Sequence, residues 1–257
     1  MTIDFDRKPL AALGLLATAS AAGALASSAL ANPPGRVAAF RNLPDWTGIW
    51  VADVGAADAG GQYKDLALFT LVMGHPPYNA KWEADFQARI RAAQTRTLKS
   101  CAIDFPSLMQ YPQPFELTVT PEETLMTAAD GAERHIYTDG RAHTPVDILI
   151  PSHMGDSIGR WEGPILVVDT IARRAGPLLF GSPVSFSASA HFLERIRQTG
   201  PDSLEDLITI EDPGAFTRPW RLTFTYRRAT FVDRLVPYEC DDDRIRIVDG
   251  KGEIAPP

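Results

Sequence analysis

The sequence has 257 residues, of which 45% are hydrophobic and 22% charged, a composition typical of one globular domain or a compact pair. Its formal net charge of −7 argues against nucleic acid or an anionic membrane surface as the partner, because both are bound through clustered Lys and Arg. The sequence has neither a Gly-rich phosphate loop nor a dinucleotide fingerprint, and we expect no cofactor.

The first residues have the composition of an export signal. Arg7 and Lys8 precede an apolar run over residues 10–30, and Ala29-Leu30-Ala31 places small residues at the cleavage positions. This order predicts a cleaved signal peptide over residues 1–31, and therefore a periplasmic or secreted protein. The alternative is an uncleaved anchor helix, since the run approaches the ~20 residues that span a bilayer. We expect no membrane contact after cleavage.

The two cysteines of the chain are Cys101 and Cys240. In an exported protein such a pair predicts one disulfide, because a metal site would need more ligands at closer spacing. A bridge closing so long a loop would stabilise the fold by about 4–5 kcal/mol in the chain-entropy model. Two free buried thiols are the alternative.

The mature chain is predicted to open with a loose lead over residues 32–44. The segment Asp45–Val51 then alternates bulky and small residues, as a strand does. Asn79 can cap a helix over residues 79–96, in which large apolar side chains recur every four residues. These apolar side chains are Trp82, Phe86 and Ile90.

From Phe115 onward, alternating segments are separated by Gly, Pro, Asp and Asn signals, which is typical of antiparallel strands joined by turns. Together with Asp45–Val51 they make about eight strands in sequence order. This pattern predicts a mainly β fold, an antiparallel up-and-down barrel with one substantial helix, which removes sheet edges by closing. A β-sandwich is the alternative. We expect one barrel domain over residues 45–240 and a flexible tail over residues 241–257.

Two resemblances follow from short motifs. Gly48-x-Trp50 on the first strand resembles the opening of lipocalin and other calycin barrels. A longer part of the chain resembles a group of exported bacterial proteins of unassigned function. The motifs that carry it are Ile136-Tyr137-Thr138-Asp139-Gly140-Arg141-x-His143, Ser157-Ile158-Gly159-Arg160-Trp161-Glu162-Gly163 and Thr209-Ile210-x-Asp212-Pro213. The calycin resemblance implies a cavity for a small apolar molecule, in which some members catalyse reactions.

The candidate site lies between Arg134 and Thr170, where acid–base side chains are concentrated. Alternation places His135, Tyr137 and Asp139 on one face of their strand but cannot say which face points inward. One interpretation puts Tyr137, Asp139, Arg141 and His143 at the mouth of the cavity, with Arg160 or Glu162 inside. The other is that Arg160 and Glu162 pair on the outside, while Asp139-Gly140 only makes a turn.

In the catalytic interpretation, His143 is the general acid or base and is oriented by Asp139. Tyr137 is the second proton-transfer group, and Arg160 stabilises negative charge on the substrate. Seven further residues are candidates for substrate contacts, from the same region, from nearby loops or from aromatic positions of later strands. They are Arg141, Trp161, Glu162, His153, His191, Trp220 and Tyr226.

These residues predict a cofactor-independent enzyme, a lyase, isomerase or hydrolase, that moves protons on a small apolar or aromatic molecule inside the barrel. The alternative is an exported binding or carrier protein in which the same groups serve as anchors, and a structural role ranks third. The histidines have no compact metal-ligand signature, and we expect no metal site. A serine nucleophile is not expected, because the α/β pattern that supports a nucleophile elbow is absent. The oligomeric state is left open.

Overall fold

The computed structural model describes residues 34–53, 74–93, 104–106, 113–178 and 183–236. Three predictions lie outside these described residues and stay predictions. They are the signal peptide over residues 1–31, the tail over residues 241–257, and the pairing of Cys101 with Cys240.

The described residues include two helices in addition to the barrel strands. The segment predicted to be a loose lead instead forms helix α1, Pro34–Asn42, in which Pro34 occupies the first turn, where proline is well tolerated. Helix α2, Ala80–Ala93, begins after Asn79 as predicted, since the Asn79 side chain accepts a hydrogen bond from the Trp82 amide at 3.2 Å. Neither helix combines the length and the apolar character needed to cross a membrane.

Eleven strands make up the rest of the described structure. In chain order they are β1 Gly48–Ala52, β2 Phe115–Val119, β3 Glu123–Ala128, β4 Glu133–Tyr137, β5 Asp156–Glu162, β6 Ile165–Ile171, β7 Gly176–Pro177, β8 Ser185–Phe186, β9 His191–Gly200, β10 Ser203–Glu211 and β11 Trp220–Arg228. Nine of them close a barrel in the order β1-β11-β10-β9-β6-β5-β4-β3-β2, while β7 and β8 form a separate two-stranded sheet. The predicted mainly β barrel with one substantial helix is therefore confirmed.

The barrel departs from a simple up-and-down order between β4 and β5. These strands pair in parallel, through Ile136 with Ser157 and Tyr137 with Ile158 only. The other neighbouring strands of the barrel are antiparallel. The expectation of an entirely antiparallel barrel is wrong here, because the connection over residues 138–155 brings the chain back to the end at which β4 began.

The barrel interior is filled by side chains rather than by a ligand-sized space. Trp46 and Trp50 are buried at one end, and the Trp50 indole donates to the Trp46 carbonyl at 2.7 Å. Phe115 and Tyr226 meet edge to face, with ring centroids 5.4 Å apart. The interior cavity beside them has a volume of about 10 Å³, which is near the minimum for one water molecule. The described interior therefore lacks the ligand cavity that the resemblance implies.

Candidate functional site

A groove of about 510 Å³ opens on the barrel wall beside the parallel β4–β5 pair, and we call it the seam groove. Only the last two residues of β4 pair with β5, so the first residues of β4 have no strand partner on this side. The size of the groove falls within the range of small-molecule sites. Side chains from β4, β5 and their connection line it, among them Arg134, Tyr137, Arg141, His153, Asp156 and Ser157.

Tyr137 and Arg141 form one wall of the seam groove. The Arg141 guanidinium carbon lies 4.0 Å from the centroid of the Tyr137 ring, and the His135 ring stacks on Tyr137 with centroids 5.9 Å apart. Arg141 also donates to Asp139 at 2.6 Å. The Arg141 hydrogen bonds hold the pKa of Asp139 below its usual range. Asp139 is thus committed to Arg141, while Tyr137 presents a flat aromatic surface.

His143 lies between two carboxylates next to the groove. Its Nδ1 is 3.1 Å from Asp156 Oδ1, and its Nε2 is 3.1 Å from Asp169 Oδ1. The Thr144 amide donates to Asp156 Oδ2 at 3.0 Å. Burial alone would raise the pKa of Asp156, but the hydrogen bonds from Thr144 and His143 bring that pKa below its usual range. Asp156 and Asp169 therefore replace Asp139 as the partners of His143.

His191, the first residue of β9, contacts the same Asp169 oxygen as His143. Its Nε2 lies 2.7 Å from Asp169 Oδ1, and its Nδ1 lies 3.9 Å from Glu211 Oε2. The His191 side chain is 33% exposed. We call His143, Asp156, Asp169 and His191 the histidine cluster. It joins the β4–β5 connection to three adjacent strands, β5, β6 and β9.

The histidine cluster is held by hydrogen bonds between imidazoles and carboxylates. Within the described ranges, no group of three or more His, Cys, Asp and Glu side chains is placed to hold a metal ion. Each imidazole contact within the cluster is instead made to a carboxylate oxygen. The arrangement is therefore suited to holding and moving protons.

Arg160 and Glu162 lie on the outer face of β5, so the expectation that either points into the barrel is wrong. Arg160 Nη2 donates to Glu162 Oε1 at 2.7 Å, and Arg195 Nη1 donates to Glu162 Oε2 at 3.0 Å. These hydrogen bonds, that of Arg195 foremost, lower the pKa of Glu162. The structure has the alternative, an exposed ion pair. Side chains alternate between the two faces of β5, so Trp161 points inward, and its ring centroid lies 5.0 Å from that of Trp46.

The remaining predicted residues divide between the groove and the core. His153 lines the seam groove, and its Nε2 accepts from Arg174 at 3.1 Å. Burial and, after it, the charge of Arg174 lower the pKa of His153. Trp220 and Tyr226 are buried on the inner face of β11, where Trp220 packs edge to face on Phe216 and Tyr226 lines the small interior cavity.

Charged residues in the barrel interior were not predicted from the sequence. Arg134 and Glu194 form a buried ion pair, and Arg134 also donates to Thr170 at 3.0 Å. Asp206 on β10 is fully buried nearby. Burial and the negative charge of Glu194 raise the pKa of Asp206 well above its usual value. Strand alternation could have indicated that both acidic residues are buried, because each shares a strand face with apolar neighbours. Glu194 lies between Phe192 and Ile196 on its face. Asp206 lies between Leu204 and Ile208.

Ser157 also belongs to this interior group. The residues Gly155-Asp156-Ser157-Ile158-Gly159 match the pattern Gly-x-Ser-x-Gly. A nucleophile elbow requires a sharp turn from strand to helix that exposes the serine. Ser157 instead lies buried within β5, where its hydroxyl is 2.8 Å from that of Thr170. Ser157 therefore makes a buried structural hydrogen bond.

No protein-family model matches this sequence, and no curated protein matches it either. Function is therefore inferred from the seam groove and the histidine cluster.

Proposed function

We propose that the protein is an exported, cofactor-independent enzyme that carries out acid–base chemistry on a small apolar or aromatic molecule held in the seam groove. The observation that carries this proposal is the position of Asp156, which lines the groove and also binds His143 of the histidine cluster. Export is supported by the pattern of residues 1–31, which predicts a signal peptide.

The groove has the features of a site for an apolar or aromatic molecule. Tyr137 offers an aromatic face, and Leu149, Ile150 and Met154 supply aliphatic surface. A few polar groups placed among apolar ones are what small-molecule sites use to orient a ligand. This location replaces the barrel interior, whose cavity of about 10 Å³ cannot admit such a molecule.

The hydrogen bonds of the cluster separate a proton donor from a proton acceptor. Carboxylates only accept, so a ring nitrogen of His143 that carries a proton donates it to Asp156 or to Asp169. His191 donates from Nε2 to Asp169, and in the neutral ring this leaves its Nδ1 with a lone pair. His191 is therefore the proposed base, Asp169 fixes its tautomer, and His143 is the proposed acid. Neither imidazole lines the seam groove, so the reacting end of the substrate projects from the groove towards Asp169 and His191.

A suitable probe is 5-nitrobenzisoxazole, an apolar aromatic compound. A base removes its ring C–H proton, the N–O bond breaks, and the coloured phenolate product is measured by absorbance. We expect the protein to accelerate this ring opening over buffer. General bases typically contribute about 10²–10⁴-fold, so His191→Gln should remove most of the acceleration. His75→Gln is the matched control, since His75 pairs with Glu83 on another part of the surface.

A second candidate function is that of a binding or carrier protein. The observation favouring it is that Asp139, Arg141 and Tyr137 already satisfy one another, as anchoring groups do. Fluorescence of 8-anilinonaphthalene-1-sulfonate measures groove binding without turnover. Binding that Tyr137→Ala weakens, together with ring opening no faster than in buffer, would replace the enzyme by the carrier. Equal acceleration by wild type and His191→Gln would move the base away from the cluster.

A further inference from the structure

The connection between β4 and β5 exposes aliphatic side chains beside the seam groove. We call residues 144–151 the strap. Val146, Ile148 and Ile150 on it are 90%, 64% and 82% exposed. Single exposed apolar residues are ordinary on protein surfaces. Three exposed aliphatic residues within five positions are more than that, and such a concentration is typical of binding sites.

The strap is fixed at both ends. Before it, His143 lies between Asp156 and Asp169, and the amide of Thr144, its first residue, donates to Asp156. After it, the Ser152 amide donates to the Ala172 carbonyl at 3.1 Å. Within the strap, the Ile148 amide donates to the carbonyl of Pro145 at 3.0 Å, closing a turn. The aliphatic side chains are therefore displayed on a restrained backbone, which lowers the entropy lost when something binds them.

The strap contributes to the lining of the seam groove. Leu149 and Ile150 line the groove, and Ile150 is itself one of the exposed aliphatic residues, with Val146 and Ile148 preceding it on the same strap. A molecule whose polar or aromatic end sits against Tyr137 would reach these side chains with any chain that projects from the groove.

From this shared lining we infer that the strap binds the alkyl or terpenoid chain of a ligand whose head occupies the seam groove. The inference rests on the proposed function and names its substrate class, an amphiphile with a small head and an apolar chain. A protein partner fits less well, since stable interfaces bury more than about 1,000 Å². A membrane surface fits less well because Asp147 sits between Val146 and Ile148 and the net charge is −7.

The test is the dependence of affinity on chain length. Hexyl, heptyl, octyl and nonyl glucosides are uncharged probes that share one head, and calorimetry below their micelle concentrations gives each dissociation constant. Each buried methylene should tighten binding about three- to fourfold. The Ile148→Ser/Ile150→Ser variant should flatten this dependence to less than about twofold per methylene, whereas Leu207→Ser should not change it. Leu207 is an exposed leucine on β10 and does not line the groove.

Several outcomes would overturn the inference. One is affinity that does not change with chain length in the wild type, and another is an equal dependence in the strap variant. Concentration-dependent association of the protein that Ile148→Ser abolishes would make a second copy the occupant of the strap. Strap-dependent binding to phosphatidylcholine vesicles would make a membrane surface the occupant of the strap.

These results are distinguishable from failure of the proposed chemistry. Ring opening of 5-nitrobenzisoxazole that depends on His191, together with a flat chain-length series, would retain the enzyme and overturn the strap inference. A steep chain-length dependence without ring opening would retain the strap inference and overturn the proposed enzyme. Circular dichroism confirms that each variant is folded, and the replaced side chains project into solvent, so that folding should not change.

Discussion

Arg134 and Glu194 meet inside the barrel, where the Arg134 guanidinium donates to both carboxylate oxygens of Glu194. The Arg134 and Glu194 side chains are 1% and 0% exposed. The guanidinium carbon also lies 3.8 Å from the centroid of the Phe105 ring. Removing one partner of a buried ion pair leaves the other charge without compensation in a medium of low dielectric constant. This pair therefore makes the stability of the barrel sensitive to a change at either position.

The first prediction concerns Glu194→Gln. It should lower the free energy of unfolding by about 3–5 kcal/mol, because it leaves the Arg134 charge buried without its counter-ion. Replacing both residues, Arg134→Met with Glu194→Leu, should recover most of that loss, since no charge is then buried. Urea unfolding followed by tryptophan fluorescence measures each value. Glu162→Gln on the exposed face of β5 should have little effect, and an equally small effect of Glu194→Gln would contradict the prediction.

The second prediction concerns pH and Asp206. Burial and the charge of Glu194 raise its pKa in the folded protein, whereas an unfolded Asp ionises near pH ~4. Its contribution to stability is therefore complete below that pH and is lost as the pH rises towards the folded pKa. Each proton held only by the folded state changes the free energy of unfolding by about 1.4 kcal/mol per pH unit. Asp206→Asn should remove this decline and be more stable than wild type at neutral pH.

Urea titrations at several values between pH 4 and pH 8 provide the measurement. Asp147→Asn on the exposed strap is the control and should keep the wild-type slope. An Asp206→Asn protein with the same pH slope as wild type would show that Asp206 is ionised in the folded state over this range.

The third prediction concerns Trp50, a residue of β1. Its side chain is 0% exposed, and the Arg228 guanidinium carbon lies 4.5 Å from its ring centroid. Trp50→Ala should lower the free energy of unfolding by about 3–5 kcal/mol, because it removes a large buried side chain and leaves a cavity. Thermal unfolding by circular dichroism tests this. Phe231→Ala, at an exposed aromatic position, should leave the melting midpoint nearly unchanged.

The fourth prediction concerns export. Secreted protein should begin near Asn32 and carry a Cys101–Cys240 bridge, following the sequence signals for cleavage and for an oxidising compartment. Intact mass spectrometry with and without reduction and alkylation reports both features. Two alkylatable thiols in folded, oxidised protein would contradict the predicted disulfide.

Much of the fold was predictable because its local signals agree with its tertiary structure. Asn79 caps α2, as expected of a short polar side chain that precedes a helical apolar periodicity. The strands after Phe115 alternate buried and exposed residues, as in the pattern of Phe115–Val119. The parallel pairing of β4 with β5 could not be read in this way. It depends on tertiary contacts of the intervening chain, such as that of His143 with Asp156, which have no sequence periodicity.

The candidate site was predictable in composition but not in arrangement. Tyr137, Arg141 and His153 do line one groove, since they lie on or near two strands that become neighbours. The partners of His143 were not predictable, because Asp156 and Asp169 reach it through strand pairing rather than sequence proximity. The inner face of β4 was ambiguous for a similar reason. Each of its faces carries a basic side chain, so alternation alone could not assign Arg134 to the core.

The last prediction concerns two glycines with the same backbone conformation and different surroundings. Gly140 and Gly155 have φ values of +85° and +75°. A Cβ at Gly140 would meet no atom within 4 Å, whereas one at Gly155 would lie 2.8 Å from both the Ile171 carbonyl oxygen and Thr170 Cγ2. Gly140→Ala should therefore cost only the left-handed backbone penalty of about 1–2 kcal/mol. Gly155→Ala should cost more, because β6 must also move.

Gly155 lines the seam groove and precedes Asp156, so its replacement should also displace the carboxylate that binds His143. We expect Gly155→Ala to weaken binding of 8-anilinonaphthalene-1-sulfonate, whereas Gly140→Ala should bind it nearly as well as wild type. Urea unfolding and fluorescence titration of the two variants separate backbone strain, which both share, from steric displacement, which only Gly155→Ala has. Equal losses in both measurements would show that the β6 backbone does not constrain the groove, and that the geometry of Asp156 is set by the connection over residues 138–155 instead.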